Sequence, residues 1–267
     1  MSAYKIEAGT AQHIGSRALQ TDRTALYTAA RAPGYVMAVL ADGLGTAAAA
    51  EQVLHTSKLL LDEYRAGEKA NLLRLQDLLR TVAQEAHDVI AMSPATTGGE
   101  PQATMLVLML TPQGQAVWAH VGDSRLYRFA GEQCVGRSND QDYVRHLVEH
   151  DKLPLDAAKK HRSTRMLMNA LGNRQKTPFV TVGEQQGLKA GDAFLLASDG
   201  LWQYFTDAEM GMVISRATPR QASEKLINKA IERAKGKGDN CTMAIIKLVA
   251  PPTEAPSYTV QRMGKAV

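Results

Sequence analysis

Six short runs of apolar or alternating residues punctuate the chain: Tyr35–Ala41, Thr104–Leu110, Ala116–Val121, Arg125–Phe129, Ala193–Ala197 and Thr242–Val249. Their length and pattern predict strands. Only Gly122-Asp123-Ser124 separates the third run from the fourth, and that spacing predicts a hairpin with a tight turn. Elsewhere the period lengthens. Thr46–Tyr64 carries Val53, Leu54, Leu60 and Leu61, and Asn71–Met92 carries Leu72, Leu75, Leu78, Leu79, Val82, Ala86 and Ile90. That spacing puts the apolar residues on one helical face. Thr46 is placed to cap the first helix. Further helices are expected over Asp207–Arg216 and Arg220–Lys235. Strands gathered around a long helical pair, with more helices near the C-terminus, predict an α+β fold of packed antiparallel sheets flanked by helices. Residues 140–178 are polar and irregular, punctuated by Pro154 and Pro178, and an insertion of this length reads as a lid or substrate-recognition segment. The proline-bearing stretch 251–267 reads as a disordered tail behind a domain spanning 1–250.

Composition narrows the function classes. A chain of 267 residues can bury a substantial core. Its net charge of +4 is spread over dispersed Lys and Arg. A nucleic-acid partner is not expected, because the basic stripe it needs is missing, but the weak positive field favours anionic, phosphorylated substrates. The two cysteines, Cys134 and Cys241, lie in no CxxC pattern and indicate a reducing compartment. The start of the chain lacks a signal-peptide pattern, and no apolar run approaches the roughly 20 residues that span a bilayer. A cytoplasmic protein with no membrane partner is therefore expected. No apolar stripe demands a dimer, so a monomer is expected.

Candidate chemistry concentrates on aspartates in glycine-containing turns: Ala41-Asp42-Gly43-Leu44-Gly45, Val121-Gly122-Asp123-Ser124-Arg125, Ala197-Ser198-Asp199-Gly200 and Gly238-Asp239-Asn240. At least three adjoin an apolar run. A carboxylate at a strand end is held rigidly, and the neighbouring glycine lets backbone and water approach. Several carboxylates meeting at one point repel each other unless a hard cation joins them, and an oxygen-rich site suits Mg²⁺ or Mn²⁺. The pattern points to a metal-dependent hydrolase of phosphorylated substrates. The scattered histidines show no zinc-site spacing.

The order Arg17-Ala-Leu-Gln-Thr-Asp22, Asp42-Gly-Leu-Gly45, Ala103-Thr104, Gly122-Asp123-Ser124-Arg125, Ser198-Asp199-Gly200 and Gly238-Asp239-Asn240 resembles the metal-dependent protein serine/threonine phosphatases of the PP2C (PPM) type, in their compact bacterial form. The resemblance runs from Gly15 to Val249. Residues 140–178 are similar to the family's flap, in Tyr143-Val-Arg-His-Leu-Val-Glu and in Asn169-Ala-Leu-Gly172. It implies a β-sandwich flanked by helices, with two Mn²⁺ or Mg²⁺ ions bridging a water that attacks phosphorus directly. By the same resemblance Asp42 bridges both ions, and Asp199 and Asp239 complete the first. The carbonyl of Gly43 ligates the second ion, and Asp22 supports it through water. Asp123 with Asp199 resembles a third-metal site, and Arg17 resembles the arginine that grips the substrate phosphate. Asn240 is placed to orient Asp239. Phosphorylated proteins are the implied substrates, and a cognate bacterial Ser/Thr kinase the implied counterpart.

Four positions depart from the family pattern. Thr21 stands where Glu or Gln usually precedes the Asp, Gln20 where Asn is frequent, Leu44 where eukaryotic members carry His, and Thr46 in place of a second glycine. The change at Thr21 motivates an alternative, a pseudophosphatase of this fold that binds phosphoproteins as a scaffold or switch. A metal hydrolase of small phosphoesters is a third reading.

Overall fold

The computed structural model describes residues 4–67, 70–95, 99–141, 147–148, 151–160 and 168–251. In chain order the elements are β1 (Lys5–His13), β2 (Arg23–Thr28), β3 (Val36–Ala41), β4 (Gly43–Leu44), α1 (Ala47–Glu63), α2 (Leu72–Met92), β5 (Gln102–Ala103), β6 (Met105–Leu110), β7 (Gln115–Val121), β8 (Arg125–Ala130), β9 (Gln133–Arg137), α3 (Leu155–Lys160), β10 (Thr181–Gln186), β11 (Asp192–Ala197), α4 (Asp199–Trp202), α5 (Asp207–Arg216), α6 (Pro219–Ala234) and β12 (Cys241–Val249). Two five-stranded sheets result, ordered β1-β12-β11-β8-β9 and β10-β7-β6-β3-β2, with β4 and β5 paired apart. All the pairings are antiparallel.

The side-chain alternation of each strand builds two cores at once. In β3, Ala38 and Leu40 join Leu106 and Leu108 against Phe194, Leu196, Ala244 and Ile246 of the other sheet. The alternate residues Met37 and Val39 face outward, where Val53, Leu61, Leu79 and Val82 of α1 and α2 cover them. On the far side, Ile214 and Leu226 of α5 and α6 cover Leu195, Met243 and Ile245. The order of layers is therefore helices, sheet, sheet, helices, the α+β sandwich expected from the sequence. Local chemistry fixes the helix starts. Thr46 accepts from the Ala48 amide at 3.3 Å, and α5 and α6 each open with a capping box, Thr206 with Glu209 and Thr218 with Gln221.

One expectation is corrected. β7 and β8 form no hairpin: β7 pairs with β6 and β10, whereas β8 pairs with β11 and β9. Both edges of each strand are already taken, so the chain crosses from one sheet to the other through Gly122-Asp123-Ser124. Gly122 makes that step at φ 103°, and a Cβ there would lie 2.7 Å from the Thr104 methyl.

Residues 142–146, 149–150 and 161–167, which include His146, His150, His161 and Met166-Leu167, lie outside the described residues, as does the stretch 252–267 expected to be a tail. No described helix is long and apolar enough to cross a membrane.

Candidate active site

The strand-end aspartates come to one edge of the sandwich, from both sheets. Asp22 precedes β2, Asp42 follows β3 and Asp123 sits in the β7–β8 crossover. Asp199 opens α4 directly after β11, and Asp239 precedes β12. Hydrogen bonds join the two sheets here. Ser198 Oγ donates to Asp22 Oδ2 at 3.0 Å, and the Thr21 amide and hydroxyl donate to Asn240 Oδ1 at 2.7 and 2.9 Å.

Each carboxylate has a rigid mount. The Asp42 amide donates to Thr104 Oγ1 and the Thr104 amide donates back to the Asp42 carbonyl, both at 2.9 Å. Thr104 thus hydrogen-bonds beneath the site. Gly43 is required by space, since a Cβ there would stand 2.5 Å from the Thr46 carbonyl oxygen and 2.8 Å from that of Thr21. Trp202 Nε1 donates to the Asp123 carbonyl at 3.1 Å. Its ring in turn lies under the Arg125 guanidinium, 3.4 Å from the ring centroid. Arg125 grips Asp140 with two bonds of 2.7 and 2.5 Å, so the start of the insert is tied to the crossover that carries Asp123. Trp202 is partly buried, packed against the core below as it supports this turn.

The electrostatics are those of an uncompensated cluster. Burial raises the Asp42 carboxyl well above its usual range, and the charges of Asp22, Asp199 and Asp123 raise it further. Asp199 is pushed up to about 7, first by burial and then by Asp123, Asp239 and Asp22. Asp22 is fully buried and raised for the same leading reason. Its Oδ1 finds no donor among the described residues. Carboxyls this close in low dielectric hold protons unless a positive charge replaces them.

Arg17 supplies part of that charge. Its Nε donates to Asp239 Oδ1 at 2.7 Å and its Nη2 to Oδ2 at 2.5 Å. The charges of Asp199 and Asp42 also raise the Arg17 pKa, after the dominant effect of Asp239. Sequence reading assigned Arg17 to a substrate phosphate; as the chain stands it holds Asp239.

The residues fit a hard divalent cation on two observations, the orphaned buried oxygen of Asp22 and the repulsion from neighbouring carboxylates that raises Asp42 and Asp199. Among the described residues, no three His, Cys, Asp or Glu side chains close on a single point. In the metal-free chain Arg17 draws both oxygens of Asp239 to itself. Asp42, Asp22, Asp199, Asp123 and Asp239, with the Gly43 carbonyl, are the groups that could hold metal.

Several contributors were not assigned a role from sequence. Thr21 reads there as a departure, yet it donates twice to Asn240. Asn240 Nδ2 also donates to the carbonyls of Ile14 and Leu19, at 2.8 and 3.0 Å. Asn240 therefore clasps the Arg17 loop as well as flanking Asp239. Ser198 and Arg125 stand inside quoted motifs, and their polar character beside an aspartate was the available signal. Cys241 is buried at the start of β12 and its thiol is pushed up to about 12, chiefly by burial, as for a small core residue. His120 is likewise structural, bonded through Nε2 to the Asn139 carbonyl at 3.0 Å.

Two stability tests arise here. Asn240→Ala strands the Thr21 amide and two loop carbonyls, and is expected to cost about 2 kcal/mol in urea unfolding. Gly200→Ala would drive a Cβ into the Asn240 carbonyl oxygen. A loss of about 1–3 kcal/mol is expected in the same assay.

Known proteins resemble this chain in sequence and in fold. The family described as "Protein phosphatase 2C" matches residues 9–234. The serine/threonine protein phosphatase PstP of Mycobacterium tuberculosis is 26% identical over 219 residues, covering 81% of this chain and 41% of the relative. The chain thus spans about two fifths of that relative's length. The serine/threonine phosphatase stp of Listeria innocua is 26% identical over 215 residues, covering 78% of this chain and 83% of the relative. Among solved structures, the S. agalactiae serine/threonine phosphatase superposes with a TM-score of 0.78 at 21% identity, covering 91% of this chain and 99% of that one. The catalytic domain of PstP in complex with two manganese ions gives a TM-score of 0.68 at 24% identity, covering 91% and 98%. These structural likenesses concern the fold.

Proposed function

Because the chain belongs to the protein phosphatase 2C family, we propose that it is a metal-dependent phosphatase that hydrolyses phosphoserine and phosphothreonine in proteins. The observation that carries this reading is the buried aspartate cluster at one sandwich edge, in which burial raises Asp22, Asp42 and Asp199 and neighbouring carboxylates raise Asp42 and Asp199 further. A relative of the same fold is described with two manganese ions, and Mn²⁺ or Mg²⁺ suits an all-oxygen donor set. In this reading Asp42 would help hold two ions, Asp199 and Asp239 the first, and the Gly43 carbonyl the second, with Asp22 supporting it through water. Asp123 with Asp199 would take a third. Bound there, the ions would supply Lewis acidity, lowering the pKa of water and neutralising phosphoryl oxygens.

The chain's own residues have separate work. Arg17 carries a planar fork matched to phosphate, and in the metal-free chain that fork holds Asp239. Thr104 and Trp202 hold the backbones of Asp42 and Asp123 in place. Asn240 keeps the Arg17 loop against the Asp239 turn. Leu44 is no proton donor, so the leaving seryl or threonyl oxygen takes its proton from water or from another group. Thr21, the departure that motivated a pseudophosphatase, has a structural duty to Asn240 that needs no loss of catalysis to explain it. We further propose that the protein acts in the cytoplasm, as a monomer, opposite a Ser/Thr kinase.

Phosphate release from phosphoserine and phosphothreonine peptides tests the reading, with a small aryl phosphate in parallel. Turnover of peptides with Mn²⁺, abolished by EDTA, is expected. Turnover of the aryl phosphate alone would move the reading to a small-phosphoester hydrolase, and binding of phosphopeptide without turnover to a scaffold.

A further inference from the structure

The loop from Ile14 to Leu19 is held largely through its main chain. Asn240 Nδ2 takes the carbonyls of Ile14 and Leu19, and the Ser16 amide and hydroxyl both donate to the Gly238 carbonyl at 2.8 Å. Gly15 sits at φ 66°, where a Cβ would strike the Asp239 main chain. With the backbone anchored in this way, the longer side chains are left to solvent. The Arg17 side chain is 62% exposed, Ile14 is 39% exposed and Leu19 66%. Leu19 thus keeps most of its surface in solvent and Ile14 about two fifths.

Resting on the phosphatase reading, we propose that Ile14 and Leu19 form an apolar subsite for the substrate residues that flank the phosphorylated Ser or Thr. The occupant is an extended peptide segment carrying an aliphatic side chain close to the phosphoresidue. Three features argue for it. The subsite lies on the same loop as Arg17, whose guanidinium reaches Asp239 at the edge of the aspartate cluster, so a peptide anchored there by its phosphate passes beside it. Leu19 is two residues from Arg17, about 7 Å of chain at most. An extended peptide advances about 3.3 Å per residue, so positions within three of the phosphoresidue can reach it. The loop is already fixed, so docking costs little ordering entropy.

The test is a phosphothreonine peptide series in which a single Leu is moved from three residues before the phosphothreonine to three after it, in an Ala/Ser background. It is assayed with Mn²⁺ on the wild type, Leu19→Ser and Ile14→Ser, with para-nitrophenyl phosphate in parallel. At one or more positions Leu is expected to raise wild-type kcat/KM about fivefold, through KM, as partial burial of one aliphatic side chain would give. That gain should vanish in Leu19→Ser, whose loss on the favoured peptide exceeds its loss on the aryl phosphate at least threefold. A flat series in the wild type, or an equal loss on peptide and aryl phosphate, overturns the subsite while leaving the phosphatase reading intact. No turnover of either substrate class overturns both.

Discussion

Asp42→Asn is expected to abolish phosphate release and, at the same time, to raise the thermal midpoint of the metal-free protein. The two effects have one origin. Asp42 stands among Asp22, Asp199 and Asp123, each of which raises its pKa. Neutralising it relieves repulsion that nothing in the chain fully offsets, and each 1 kcal/mol relieved corresponds to about 2–4 °C for a protein of this size. The same change removes the residue proposed to serve both ions. Loss of charge stabilisation worth about 4 kcal/mol would slow turnover about 10³-fold. Calorimetry in EDTA and phosphate release in Mn²⁺ read the two effects separately. A variant that lost stability along with activity would make Asp42 a structural residue.

Stability of the metal-free protein is expected to fall as pH rises through about 4 to 7, and Mn²⁺ is expected to reverse the trend. Asp199 titrates at about 7 in the folded chain and near 4 when unfolded. Between those values the folded state holds a proton that the unfolded state has released. Stability therefore decreases with pH across that window and levels off above it. Asp42 and Asp22 are raised in the same direction and steepen the fall. A bound cation favours the ionised carboxylates, so its stabilisation grows with pH over the same range. Thermal midpoints at pH 5 and pH 8, in EDTA and in millimolar Mn²⁺, give the comparison. A metal-free midpoint that rises from pH 5 to pH 8 would mean the cluster is already compensated.

The interior of this fold was legible in the sequence, but its edges were not. Residues of β3, β6, β7, β8, β11 and β12 read as apolar or alternating runs because most of them lie between neighbours on both sides. Within the two five-stranded sheets, the strands that went unread, β1, β2, β9 and β10, are the edge strands. Their half-exposed sequences, such as Lys5–His13 and Thr181–Gln186, carry too little apolar contrast to stand out. The β7–β8 hairpin failed for a related reason. A three-residue connection fits a hairpin as well as a sheet-to-sheet crossover, and only the occupied edges decide between them. At the site, the aspartates were legible as carboxylates at strand ends. The pairing of Arg17 with Asp239 was not, nor were the contacts from Thr21 and Asn240 to the loop, because they join residues more than 200 positions apart.

The most direct measurement is a Mn²⁺ titration of the metal-free protein, following thermal midpoint and phosphothreonine-peptide hydrolysis together, in the wild type, Asp42→Ala and Asp239→Ala. The expected result is that midpoint and turnover rise over the same Mn²⁺ range in the wild type, and that turnover is absent in both variants. Turnover that persists in EDTA, or that survives in both variants, would contradict a metal-dependent phosphatase built on this aspartate cluster.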